Sequence, residues 1–153
     1  MLNADDQLEI KRFCFQYLAR REHSQLELRQ KLSRKGFEGL HISAVLDDLI
    51  MNDWQSDQRF AESFFRQCLV RGLGPLRIAY ELRQRGITDE QTVMDEGQVD
   101  WEKQLAGVYQ KKFGDNIFLT AREWVKRLRF LQYRGFSSEM IQGLSKGLGL
   151  VIK

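Results

Sequence analysis

The chain has 153 residues, 42% of them hydrophobic and 29% charged, with a single proline and a formal net charge of +3. This is the composition of a folded globular protein, not of a disordered one, and no run of about 18 apolar residues offers a membrane span. The charge is uneven: residues 1–56 carry 8 basic and 9 acidic side chains, residues 57–99 carry 6 and 7, and residues 100–153 carry 10 and 5. The whole positive excess lies in the last third, which points to an acidic or polyanionic partner there. On charge alone, a merely solvated surface explains it equally well.

From the N-terminus, Ile10, Phe13, Cys14 and Tyr17 recur at three- and four-residue steps, which predicts a helix from about Asp6 to Arg20 with one apolar face. A second helix opens at Ser24, where Glu27 three residues on completes a capping box. Gly36 ends it, because the residue after a helix often takes a positive φ. A third helix runs from about Leu40 to Met51 with Ile42, Val45, Leu46 and Leu49 inward. The plan then repeats. Ser56 or Asp57 caps a helix with Phe60, Phe64 and Cys68 on its apolar face. Gly74 and Pro75 start the next, proline fitting the first turn, and Gly86 ends it; Thr88 and Gln91 form a capping box for a short third helix. In the last repeat a helix from about Asp100 to Lys112 carries Trp101, Leu105, Val108 and Tyr109. Thr120 with Glu123 caps its successor, Leu119 meets Trp124 as a hydrophobic staple, Gly135 ends that helix, and Ser137 or Ser138 starts the last one. No stretch alternates apolar and polar residues convincingly, so no strand is predicted.

The stretches ending at Gly36, Gly86 and Gly135 are self-similar, and the glycines are 50 and 49 residues apart. A fixed period of that size marks a tandem helical repeat. Units of about 50 residues bury too little surface to stand comfortably alone. The expected fold is all-α: three tandem three-helix units, residues 1–54, 55–97 and 98–153, forming an elongated curved row that presents a surface, not a pocket.

The residues for catalysis are missing. His23 precedes a helix cap and His41 begins a helix, so both read as surface or cap histidines. With two separated cysteines they give no metal-ligand spacing. Both cysteines sit among apolar residues and read as buried thiols in a reducing compartment. The N-terminus, with Asp5, Asp6 and Glu9, lacks the order of a signal peptide, and the cytoplasm is the expected location. Gly72-Leu73-Gly74-Pro75 lacks the spacing of a phosphate loop. Asp5–Asp6 and Asp47–Asp48 are neighbours on helices, so their side chains diverge. No enzyme, metal or cofactor is expected.

One constellation rises above background. On the helix after Thr120, Trp124, Val125, Leu128 and Leu131 define the buried side, while Arg122, Lys126, Arg129 and Tyr133 fall opposite at i, i+4, i+7 and i+11. Arg127 and Arg134 flank this basic stripe, and Lys111 and Lys112 come from the preceding helix. Cations in a row can neutralise phosphates or meet an acidic groove, and a tyrosine can stack on a base. Arg83 and Arg85, near the end of the equivalent helix of the second unit, are candidates to extend the surface.

The segments Ala19–Phe37, Asp57–Phe64, Gly74–Gly86 and Arg127–Phe136, in this order and spacing, resemble the RecX family of bacterial recombination regulators, over about residues 6–145. The resemblance implies an all-helical, monomeric modulator that binds the RecA recombinase filament along its helical groove. It implies inhibition of ATP hydrolysis and strand exchange, with consequences for DNA repair and the SOS response, and weak affinity for single- and double-stranded DNA. It carries no motif for the residues that contact RecA. Two other readings stay open from the residues: an autonomous DNA-binding protein using the basic last unit, since three helices can form a helix-turn-helix, and a helical scaffold with no nucleic-acid role.

Overall fold

At Gly36, Gly86 and Gly135 a helix gives way to a glycine turn of positive φ and then to another helix, and the computed structural model, which describes residues 3–153, follows that punctuation. Nine helices lie among the described residues: α1 Ala4–Arg20, α2 Gln25–Arg34, α3 Gly39–Met51, α4 Asp57–Val70, α5 Pro75–Gln84, α6 Glu90–Glu96, α7 Trp101–Phe113, α8 Ala121–Tyr133 and α9 Ser138–Leu148. The class is all-α, in three tandem three-helix segments.

The contacts group into two compact units. The first runs to Phe64 and takes in Leu82–Glu90; the second is Phe65–Glu81 with Gln91–Lys153. In the first, Ile10 and Cys14 of α1, Leu28 and Leu32 of α2, and Ile42, Val45, Leu46 and Leu49 of α3 form one buried cluster, with Phe13, Tyr17 and Phe37 packed against it. These are the periodic positions of the sequence, so the amphipathic pattern set this core. In the second, Leu105 and Tyr109 of α7, Leu131 of α8, Phe136 of the turn that follows and Ile141 of α9 form the corresponding cluster. Ser24 and Glu27 make both bonds of the capping box, as do Thr120 and Glu123. Ser56 caps α4, accepting from the Arg59 amide, and Ser137 caps α9.

In each unit a glycine turn lies close to the start of another helix. In the second, Gly135 (φ +103°) follows α8, and the amides of Gly74 and Leu76 at the start of α5 donate to the carbonyl oxygens of Arg134 at 2.7 Å and Gly135 at 3.0 Å. In the first, Gly86 (φ +85°) follows α5, and a Cβ there would lie 2.9 Å from the Cβ of Leu26, near the start of α2. In the second unit, orphan amides of one helix thus meet carbonyls from another; in the first, the contact is made by the Leu26 side chain.

Several sequence expectations are corrected. His23 and His41 are buried, not on the surface, because each finds partners inside the first unit. The Nδ1 of His23 lies 3.1 Å from the carbonyl oxygen of Arg21 and its Nε2 lies 2.8 Å from the Lys31 ammonium; His41 Nε2 accepts from the Asn3 amide. Phe60 and Cys68 of α4 are buried as expected, but Phe65 is buried while Phe64 is half-buried, so the inward face is centred slightly off the expected one. The sixth helix begins at Glu90, one residue later than a Thr88 cap requires. A strand pair exists after all: β1 Phe118–Leu119 runs parallel to β2 Val151–Ile152. Two residues are too few to alternate visibly, and the partner lies in the weakly patterned tail. There the amides of Val151 and Lys153 donate to Ile117 and Leu119, and the Ala121 amide donates to Lys153.

Candidate binding face

The α8 helix owes its position to both ends. Its N-terminal amides are covered by Thr120 and by the tail, and its last turn is fixed by Gly135 against α5. Leu131 is fully buried and Trp124 and Leu128 pack beside it, which leaves the opposite side of α8 to solvent.

Arg122, Lys126, Arg129 and Tyr133 are all exposed on that side. Among the described residues none of the three cations has a hydrogen bond or ion pair. With Ala121 and Val125, Arg122, Lys126 and Arg129 line a shallow depression. Val125 was expected inside, but it is 41% exposed and joins this face. The side chain of Glu123, the nearest carboxylate in the helix, is occupied: it accepts from the Thr120 amide. The three cations, within about two turns of helix, thus lack an ion-pair partner among the described residues.

At the C-terminal end of the stripe, Tyr133 is 72% exposed. The Arg77 guanidinium sits over its ring, 5.0 Å from the centroid, and donates to the Tyr133 carbonyl oxygen at 3.2 Å. Arg77 also pairs with Glu81 at 2.8 Å, and this bond and that to Tyr133 hold its pKa above the usual guanidinium value. By sequence Arg77 is one of the scattered, solvated cations of its helix, because nothing in the local spacing says that α5 starts beside the last turn of α8.

The other candidates divide. Arg127 turns inward: it donates to the hydroxyl of buried Tyr109 at 2.8 Å, and its guanidinium stands 4.8 Å from the Phe113 centroid. Arg134 donates to the Arg71 carbonyl oxygen at 2.7 Å and lies over Phe130. Both act as internal ties. Lys111 and Lys112 are exposed and line, with Arg134, a groove away from the stripe. Arg83 pairs with Glu90 at 3.0 Å, and Arg85 lies over the Phe64 ring at 4.3 Å, both in the first unit.

No group of three His, Cys, Asp or Glu is placed to hold a metal ion among the described residues. Burial raises the Cys14 thiol to about 11, which leaves it a poor nucleophile. No helix among the described residues is long and apolar enough to cross a membrane.

Three family models match in order: the first RecX three-helix domain on residues 11–49, the second on 56–91 and the third on 100–143. A curated protein named regulatory protein RecX from Pseudomonas fluorescens is 40% identical over 148 residues, covering 95% of this chain and 96% of its own length. One of the same name from Halorhodospira halophila is 41% identical over 127 residues, covering 82% and 79%. The crystal structure of RecX from Lactobacillus salivarius superposes with a TM-score of 0.72 over 97% of this chain and 100% of that one. Its 24% identity makes this evidence of fold alone. With three matching domains in tandem and about two residues in five shared across nearly its full length, this chain belongs to the RecX family of regulatory proteins.

Proposed function

We propose that this chain modulates the RecA recombinase, inhibiting it by binding along the RecA–DNA filament, and that the exposed face of α8 makes the contact. The observation that carries the site is the row Arg122, Lys126 and Arg129, three exposed cations without a counter-charge among the described residues, ending in exposed Tyr133. A row without internal partners retains its charge for an external one, be it filament carboxylates or DNA phosphates. Family membership supplies the regulatory role. The reading is of a binding protein with no catalytic step.

The autonomous DNA-binding alternative has less support in its helix-turn-helix form. A recognition helix enters the major groove by its N-terminal residues. Here the start of α2 is held by Asp57, which accepts from the Gln25 amide at 2.8 Å; the start of α5 is held by the Gly135 turn; and that of α8 by the tail. Phosphate contact by the stripe is the form of DNA binding that remains compatible.

The test is the DNA-dependent ATPase of RecA with the protein added. The unaltered chain is expected to inhibit, and the Arg122→Ala, Lys126→Ala, Arg129→Ala variant to need at least tenfold more protein for the same effect. Absence of inhibition by the unaltered chain would reject the function; undiminished inhibition by the triple variant would reject the site. Salt titration of DNA binding separates the two chemistries: loss of three phosphate contacts lowers the slope by about three units, whereas an acidic protein surface leaves it unchanged.

A further inference from the structure

The second unit holds a groove of about 870 Å³ between the C-terminal end of α4, one face of α7 and the last turn of α8. Its apolar lining includes Leu69, Val70 and Val108; Val70 is 88% exposed, an unusual state for a valine with a concave surface beside it. Besides Arg134, which is tied to the Arg71 carbonyl, its cations are Arg71, Lys103, Lys111 and Lys112, all exposed. None makes a hydrogen bond or ion pair through its side chain among the described residues, although Lys112 stands 5.3 Å from the Phe130 ring. The one carboxylate in the lining, that of Asp100, is engaged as the cap of α7, accepting from the Lys103 amide.

A helix C-terminus normally presents a negative end that would offset such cations. Here two carbonyls at that end of α4 take side-chain donors. Gln104 donates to the carbonyl oxygen of Leu69, and Arg134 to that of Arg71 just beyond the helix. The groove is left positive with an apolar floor.

Along α7, Lys103, Gly107 and Lys111 recur every four residues. At 1.5 Å per residue the two lysines are about 12 Å apart, the reach of about four residues of extended chain. Between them Gly107 has nothing within 4 Å of where a Cβ would be. A mid-helix glycine costs about 1 kcal/mol relative to alanine, and no packing inside the protein requires this one.

From these observations we infer that the groove binds an acidic peptide segment of a partner protein, with a large apolar side chain over Gly107 and carboxylates about two residues to either side against Lys103 and Lys111. A nucleic-acid strand fits less well. Base binding to single strands relies on open aromatic faces, and the aromatic ring of the groove, Phe130, already has Arg134, Lys112 and Phe113 against it. The inference stands apart from the α8 stripe and from the RecA reading.

The probe is a fluorescein-labelled nine-residue peptide of glycine and serine with a central phenylalanine and an aspartate two residues to each side, followed by anisotropy with the full chain. Saturable binding is expected, weakened at least tenfold when the phenylalanine is replaced by alanine, by Lys103→Glu with Lys111→Glu, and by Gly107→Trp. The last variant fills the groove without altering charge. Its side chain starts in open space and its helix loses a glycine, so its thermal midpoint should not fall, which keeps the test valid if the double charge reversal fails to fold. The Arg122→Ala, Lys126→Ala, Arg129→Ala variant should bind the peptide within twofold of the unaltered chain. No saturable binding would overturn the proposal. So would loss on charge reversal with none on Gly107→Trp, which would mean unspecific attraction. Stronger binding of a labelled oligothymidylate than of the peptide, abolished by Gly107→Trp, would assign the groove to nucleic acid instead.

Discussion

The amide of Leu76 donates to the carbonyl oxygen of Gly135 at 3.0 Å, which ties the first turn of α5 to the turn that ends α8. A glycine is required there twice over. Its φ of +103° lies where L side chains are strained, and a Cβ would stand 2.5 Å from the backbone nitrogen of Arg77. Through this bond the last turn of α8, with Tyr133 and the end of the basic stripe, meets Arg77.

Gly135→Ala should therefore destabilise more than the same change at Gly36. At Gly36 (φ +94°) a Cβ meets nothing within 4 Å, so the cost is the backbone strain of about 1–2 kcal/mol. At Gly135 backbone must also move. Urea midpoints should rank Gly135→Ala below Gly36→Ala, with Gly86→Ala, near Leu26, between them; equal midpoints would show that the close approach carries no energy.

Arg127 and Arg129 are two residues apart and should behave oppositely. Arg127→Ala removes the donor to the buried Tyr109 hydroxyl and should cost about 1–3 kcal/mol in stability. Arg129→Ala, without a partner among the described residues, should stay within about 0.5 kcal/mol while weakening partner binding. Chemical denaturation of both variants, alongside the RecA ATPase, checks the division.

His23 predicts acid sensitivity. Burial, more than any other effect, lowers its pKa, and the Lys31 ammonium facing Nε2 works in the same direction, as does Arg21; the Arg21 carbonyl and Glu27 oppose it. With the native pKa below the unfolded one, the unfolded chain binds more protons in the interval between them. The contribution is complete above the unfolded value of about 6.5 and is lost as pH falls through the window between the two. The denaturation midpoint should drop from pH 7 to 5, and His23→Gln should flatten the part of that slope due to this residue. An unchanged slope would place the titration elsewhere.

The tail pairing is testable by one atom. Val151→Pro removes the amide that donates to the Ile117 carbonyl oxygen at 2.7 Å and should loosen β1 and β2, costing about 1 kcal/mol and speeding hydrogen exchange at the Lys153 amide. Unchanged exchange there would mean that the pairing is held without that bond.

The sequence alone determined the helices, because each is written in local terms: apolar residues at helical spacing, Ser24–Glu27 and Thr120–Glu123 as capping boxes, glycine at the turns. It also placed Arg122, Lys126, Arg129 and Tyr133 on one side of α8, since helical geometry is enough for that. Only tertiary structure decided which cations stay free. Arg127 and Arg129 look alike in sequence, but the Tyr109 hydroxyl and the Phe113 ring that engage Arg127 come from a helix about eighteen residues away. The burial of His23 and His41 rests on Lys31 and on Asn3, the latter 38 residues from His41, and the strand pair joins residues 33 apart. Periodicity reports what a helix can bury; the partner across the gap decides what it does bury, and that partner is fixed by packing between elements distant in the chain.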